Sequence, residues 1–341
     1  MSQSGRQTRI LVDGHGGDRA PDVVAEALAS VLLNSSSAVS FGITGQAEAL
    51  EPVLNSHGIA DRVEIVAASQ VIDMCEAPAS VLRAKRDSSI HVGLRAVRKG
   101  LWDAFVSAGN TGALMAISKM TLKTIPGIDR PAIASMIPNV DGRTLLLDAG
   151  ANVACHSEHL RQFAIMGSCY MKYAEGIANP RVGLLNIGVE EMKGNDVIKV
   201  AAAGLKESNL NFIGNVEGTD IFSNKVDVVV CDGFVGNVAL KAIEGTASFI
   251  IHHLKKELTA DAMAKAGMLL ARGAMKRFKA SVHPSAYNGA PLLGLNGVVV
   301  KSHGSADSKG FAHATEIARK EADADVLSKI SSFLHEHSID Q

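Results

Sequence analysis

The sequence predicts a doubly wound α/β fold, a sheet with helices on both faces, from two observations. Short apolar runs rich in β-branched residues alternate with longer stretches of helical period, the pattern of parallel strands covered on both sides. Glycine and small polar residues gather where those runs end, as they do beyond the carboxyl ends of strands in open sheets. With 341 residues, 47% hydrophobic and 20% charged, the chain can bury a large core, and its composition excludes disorder on a large scale.

Taken in order, strands are expected at 9–12, 39–43, 63–66, 104–107, 133–137, 144–147, 182–186, 212–214, 226–231 and 298–301. Each is a run of three to six residues bounded by turn formers. Helical periodicity marks 22–33, 112–124, 158–174, 236–258 and 307–335. No Pro/Gly/Ser-rich linker, repeat or low-complexity tract divides the chain, so one continuous domain is expected over 9–337, after a flexible tail at 1–8.

Composition also removes function classes. Aromatic residues are only 4% and the formal net charge is -1, which argues against nucleic-acid binding by stacking or by phosphate neutralisation. The polar N-terminus passes directly into a strand pattern, so export is not indicated. No uninterrupted apolar run approaches the ~18 residues of a spanning helix, so none is expected. Cys75, Cys155, Cys169 and Cys231 are scattered without CxxC spacing, which fits a reducing cytoplasm and gives no zinc or redox site.

The informative residues close the strands. They are Asp13-Gly14-His15-Gly16-Gly17-Asp18, Ser107-Ala108-Gly109-Asn110-Thr111-Gly112 and Asp148-Ala149-Gly150-Ala151-Asn152. The second half adds Asn186-Ile187-Gly188-Val189-Glu190, Gly214-Asn215-Val216-Glu217-Gly218 and Asp232-Gly233-Phe234-Val235-Gly236-Asn237. Glycine lets backbone N–H groups approach an anion, and the following helix adds its positive end. A single such loop is more often a capped turn; six together, expected on one edge, point to a phosphate-sized ligand. GxxxxGK[ST] is absent, and the first turn lacks GxGxxG spacing, which removes the main support for nucleotide or nicotinamide binding.

In order and content, VDGHGGD, SAGNTGALM, DAGANV, LLNIGVEEMKGND, FIGNVEGTDIF, DVVVCDGFVGNVALK and YNGAPLLGLNGVVVKSHGSAD resemble the bacterial acyl-carrier-protein:phosphate acyltransferases. The resemblance runs from Ile10 to the final helix. It implies a Rossmann-like three-layer α/β/α fold related to phosphotransacetylases and isocitrate-type dehydrogenases, acting as a homodimer. It implies transfer of a fatty acyl group from acyl-carrier protein to orthophosphate, with the product passing to a membrane glycerol-3-phosphate acyltransferase. No metal or organic cofactor is expected. Two departures touch the pocket: the first loop usually reads Asp-Ala-Met-Gly-Gly-Asp but holds Gly14 and His15, and Asn288 replaces the first of a usual glycine pair.

Phosphate is itself the nucleophile in such a reaction, so positioning and backbone donors should dominate. Gly109, Asn110, Thr111 and Gly112 are expected to form the anion cradle, with Asp13, Gly16, Gly17 and Asp18 opposite and Asn152 and Asn237 contributed by later loops. Arg83 and Lys85 belong to a basic run that can steer an acidic carrier protein or phosphate, or simply be solvated. Asn110, Lys193, Asp232 and His303 are the candidates for catalysis: Lys193 to offset phosphate charge, Asp232 and His303 as strand-end acid/base groups. Lys193 reads equally well as a surface ion pair, a lone strand-end histidine such as His303 is more often structural, and Cys231 reads as core.

Residues 253–279 carry seven Lys or Arg against two acids, together with Met263, Met268, Leu269, Leu270, Met275 and Phe278. They read as a broken helix suited to an anionic bilayer or to a dimer contact, and the resemblance implies a protruding, membrane-touching tip at 250–280. The protein is therefore expected in the cytoplasm, attached peripherally to the inner face of the cell membrane. Three other readings remain: a short-chain phosphate acyltransferase using coenzyme A thioesters, a catalytically silent acyl- or lipid-surface-binding protein, and a dinucleotide dehydrogenase.

Overall fold

The computed structural model describes residues 7–34, 39–282 and 287–336. Of the expected tail, residues 1–6 lie outside the described residues, and Thr8 already opens the first strand. All ten expected strands are present, with β10 (Ala290–Leu293) as an eleventh. The others are β1 (Thr8–Asp13), β2 (Val39–Gly45), β3 (Val63–Ala67), β4 (Ala104–Ser107), β5 (Ala132–Pro138) and β6 (Arg143–Leu147). β7 (Arg181–Leu185), β8 (Asn211–Val216), β9 (Val228–Val230) and β11 (Val298–Lys301) complete one sheet, ordered β3-β2-β1-β4-β11-β10-β5-β6-β9-β7-β8.

Pleating divides the apolar residues between two faces. Ile10 and Val12 pack with α1 (Asp22–Asn34) and α11 (Ser308–Asp323), whereas Leu11 packs with α4 (Ser89–Arg98) and α5 (Thr111–Leu122). Farther along, Leu145 and Leu147 meet α6 (Ser157–Tyr173), while Leu146 meets Leu240 and Ile243 of α8 (Gly233–Leu258). The result is the expected α/β/α sandwich. Four helices escape the strongest periodic signal: α2 (Ala47–Ser56), α3 (Pro78–Ala84), α4 and α7 (Asp196–Lys206). The expected helix at 307–335 is two, α11 and α12 (Val326–Glu336), broken where Asp325 adopts φ 50.

One expectation fails in a way that matters for the site. The sheet is mixed, because β10 runs antiparallel to both β11 and β5, and β5 antiparallel to β6. A tight turn from Asn139 to Gly142 makes the β5–β6 hairpin. Three successive reversals leave β1, β2, β3, β4 and β11 running opposite to β6, β7, β8 and β9. The carboxyl ends of the two sets therefore face opposite edges, and the six glycine-rich loops do not share one.

α8 extends past the sheet into α9 (Ala262–Leu270) and α10 (Arg272–Val282), the broken helical tip expected from sequence. By length and composition alone α8 is long and apolar enough to cross a membrane. Scattered polar residues interrupt its apolar run, and Leu240 and Ile243 pack against Leu146, so length and composition are all that it shares with a spanning helix.

Candidate functional site

The first edge is built around Asp13, the last residue of β1. Its buried carboxylate accepts the His15 N–H at 3.1 Å and the Ser107 hydroxyl at 2.7 Å. Ser107 closes β4, and its Oγ in turn accepts the Gly109 N–H at 3.0 Å. Two adjacent strand ends are thereby locked together through one carboxylate. A Cβ at Gly16 would lie 2.6 Å from both an Asp13 carboxylate oxygen and the Gly109 nitrogen, so only glycine permits this approach. The Asp18 N–H donates to the Gly304 carbonyl at 2.9 Å, which draws in the loop after β11. Gly17 lies beside Ala108 and Gly304.

Asn110 caps α5 by accepting the Ala113 N–H at 2.9 Å. Its amide nitrogen donates to the carbonyls of Asp73, Met74 and Glu76 at 3.4, 2.9 and 2.9 Å. The side chain is thus committed to holding segment 73–76 against the start of α5. Thr111 and Gly112 form the exposed first turn, where helical N–H groups have no intrahelical partner and the dipole is positive. Lys85 stands behind that segment, donating to the Val71 carbonyl at 2.6 Å and pairing with Glu76; Arg83 is exposed on α3.

His303 is exposed at the same edge, with its N–H on Asn288 Oδ1 at 2.7 Å and its Nδ1 2.9 Å from Ser305 Oγ. The two family departures have structural roles here. Asn288 is buried and donates to Ser302 Oγ and the Gly310 carbonyl at 2.8 and 2.7 Å, bracing the loop after β11. His15 accepts the Gln46 N–H at its Nε2 at 3.0 Å, and burial holds its pKa below the usual imidazole value.

The remaining candidates lie at the opposite edge, around Asp148. This buried carboxylate receives the N–H groups of Ile133, Gly150, Ala151 and Asn152 and the Asn152 amide, at 2.7 to 3.1 Å. Asn152 also donates to the Pro131 carbonyl at 2.8 Å, so its amide is spent on structure. Asp232 caps α8, accepting the Val235 N–H at 2.8 Å. Lys193 is exposed in the loop after β7, where its carbonyl accepts the Asn186 amide at 3.1 Å. Asn237 is exposed on α8 and lies over Gly150. Burial pushes the thiols of Cys231 and Cys155 up, the latter to about 11, which leaves neither as a ready nucleophile and agrees with Cys231 as core.

The structure brings Asp13, Gly16, Gly17, Asp18, Gly109, Asn110, Thr111, Gly112 and His303 to one edge and places Asn152, Lys193, Asp232 and Asn237, expected beside them, at the other. Sequence reasoning passed over Asp148 as a hub and Lys301 entirely. The signal for Lys301 was a lysine closing the run VVVK in a central strand. α8 links the edges: it starts beside Asn152 and runs back along the sheet, until Lys241 comes within electrostatic reach of Lys301. Among the described residues no group of three or more His, Cys, Asp or Glu is placed to hold a metal ion.

A sequence model described as "Fatty acid synthesis protein" matches residues 8–329. The chain belongs to this family. A relative named phosphate acyltransferase, from Magnetococcus marinus, is 50% identical over 329 residues, covering 94% of each chain. The resemblance read from the strand-end loops and the expected class, acyltransferase, agree with the names of such family members. The fold is shared more widely. A phosphotransacetylase from Streptococcus pyogenes superposes with TM-score 0.62 at 18% identity, over 93% of this chain and 94% of its own. A branched-chain phosphotransacylase from Enterococcus faecalis gives TM-score 0.59 at 14% identity, over 93% and 99%.

Proposed function

We propose that this chain transfers a fatty acyl group from acyl-carrier-protein thioester to orthophosphate, giving acyl phosphate for phosphatidic acid and phospholipid synthesis. The observation that carries the reading is the exposed first turn of α5 at Thr111 and Gly112, set between the Asp13–Asp18 loop and the loop after β11. Its N–H groups and dipole suit a phosphate dianion. A phosphate oxygen attacks the thioester carbonyl, the C–O bond forms, the C–S bond breaks, and the carrier's thiolate departs and takes up a proton. No protein nucleophile is needed, in keeping with the depressed reactivity of Cys155 and Cys231.

The same fold in phosphotransacetylases favours one second reading, a short-chain transferase using coenzyme A thioesters. One assay separates them: phosphate-dependent loss of thioester from long-chain acyl-carrier protein, with acyl phosphate trapped by hydroxylamine. Product only with protein and phosphate present supports the first reading. Activity confined to coenzyme A thioesters supports the second, and inactivity with both favours a binding role.

The domain at 9–337 carries the reaction, in the cytoplasm. α8 to α10 supply the contact with a second copy and with the inner face of the membrane, where the product meets a glycerol-3-phosphate acyltransferase. Met263 and Leu270 support this, being 85% and 90% exposed amid basic residues; the side chain of Lys279 lies outside the described residues.

A further inference from the structure

Lys301 is the last residue of β11, between Val300 and Ser302, and is nine-tenths buried in the middle of the sheet. Alternation gives it the face of Val299, which packs with α5. Its ammonium donates to the Ala108 carbonyl at 3.3 Å, one residue before the glycine that opens the α5 turn, and to its own neighbour, the Ser302 carbonyl. The charged groups facing it are Asp13 at the end of β1, Asp18 in the first loop and Lys241 on α8. Neutral carbonyls take the hydrogen bonds, and no carboxylate is paired directly with this ammonium among the described residues. Burying an ammonium without a directly paired anion is costly, and a methionine would fill the same space without that cost. The position calls for a cation.

We infer that Lys301 is a positioning residue for phosphate: it fixes the 107–112 loop from beneath and supplies the positive charge that draws the dianion to the first turn of α5. The inference rests on the reading that this edge binds phosphate. Burial lowers the Lys301 amine to about 8, against the opposing pull of Asp13 and Asp18. The group is charged below that pH and loses its charge as pH rises through it. A bound dianion favours the charged form, so phosphate binding weakens on the alkaline side.

The test uses the full chain and its Lys301→Met and Lys301→Arg variants, with folding checked by circular dichroism. Inorganic phosphate is titrated calorimetrically and varied in the acyl phosphate assay. Lys301→Met should raise the KM for phosphate at least about tenfold and leave the KM for the acyl donor unchanged. The wild-type phosphate KM should climb above pH 8, and that climb should be absent in Lys301→Met and displaced beyond the working range in Lys301→Arg. A folded Lys301→Met with wild-type phosphate KM and pH profile overturns the inference. If Lys301→Met does not fold, an unchanged alkaline limb in Lys301→Arg overturns it instead. Phosphate binding that depends on Lys301 in a protein that makes no acyl phosphate would sink the acyl-transfer reading and leave this inference standing.

Discussion

Gly236 lies directly on the main chain of Asp148: a Cβ at residue 236 would come within 1.9 Å of the Asp148 carbonyl oxygen. That oxygen cannot retreat easily, because the Asp148 carboxylate is anchored by Ile133, Gly150, Ala151 and Asn152. α8 can approach the end of β6 this closely only through glycine. Gly236→Ala should therefore destabilise the protein by about 2 kcal/mol or more, by forcing the helix off the sheet. Urea unfolding measures this, and a loss below about 0.5 kcal/mol would mean that α8 slides freely.

Glu321 of α11 is fully buried, and one of its carboxylate oxygens has no hydrogen-bond partner. Burial pushes its carboxyl up to about 8 from an ordinary 4.5. The folded state keeps a proton that the unfolded chain releases, so stability falls as pH rises from 4.5 towards 8 and then levels. The slope is at most about 1.4 kcal/mol per pH unit for one group. Glu321→Gln removes that slope: the variant should melt near the wild-type temperature at pH 5 and clearly above it at pH 8. Equal melting temperatures at pH 8 would show that Glu321 is already ionised or hydrated.

The layers of this fold were legible because most strands are short, mainly apolar runs, the clearest being Val228–Val230. Direction was not legible. β10 contains Pro291 and has no β-branched residue, so periodicity does not announce it, and only with the third antiparallel pairing, the β5–β6 hairpin, does the second half of the sheet run the other way. The loops were recognised from glycine and capping residues, but composition does not say which edge a loop occupies. Asn110 and Asn152 were expected to contact substrate; the Asn110 amide instead donates to main-chain carbonyls, and the Asn152 amide to the Pro131 carbonyl and the Asp148 carboxylate. Lys301 was missed because a lysine at the end of an apolar run normally marks a strand emerging into solvent.

Asn110 gives the sharpest test of how the cradle is held. Asn110→Asp keeps the acceptor that caps α5 but sets a carboxylate against the carbonyls of Asp73, Met74 and Glu76. Loss of three donated bonds and the new repulsion should cost about 2 to 4 kcal/mol and more than tenfold in phosphate-dependent activity. Asn110→Ala should also lose more than tenfold. A fall of less than tenfold in either variant would show that segment 73–76 is not needed to shape the anion site.

At the tip, Leu269 and Leu270 are 69% and 90% exposed at the end of α9, immediately before Arg272 opens α10. An apolar pair at the tip of a basic hairpin gains by entering the headgroup region of an anionic bilayer, at roughly 25 cal/mol per Å² of apolar surface buried. Leu269→Glu adds an acid and removes apolar contact without touching the sheet. Its melting temperature and its acyl phosphate formation from soluble donor should match wild type, while co-sedimentation with anionic vesicles should fall severalfold. Vesicle binding that survives the substitution, with wild-type salt dependence, would assign membrane contact to another surface and leave the tip as a contact between copies. Loss of binding together with a lower melting temperature would show that the tip also packs within or between copies, because a tip that touches only a bilayer carries no stability of its own in the absence of lipid.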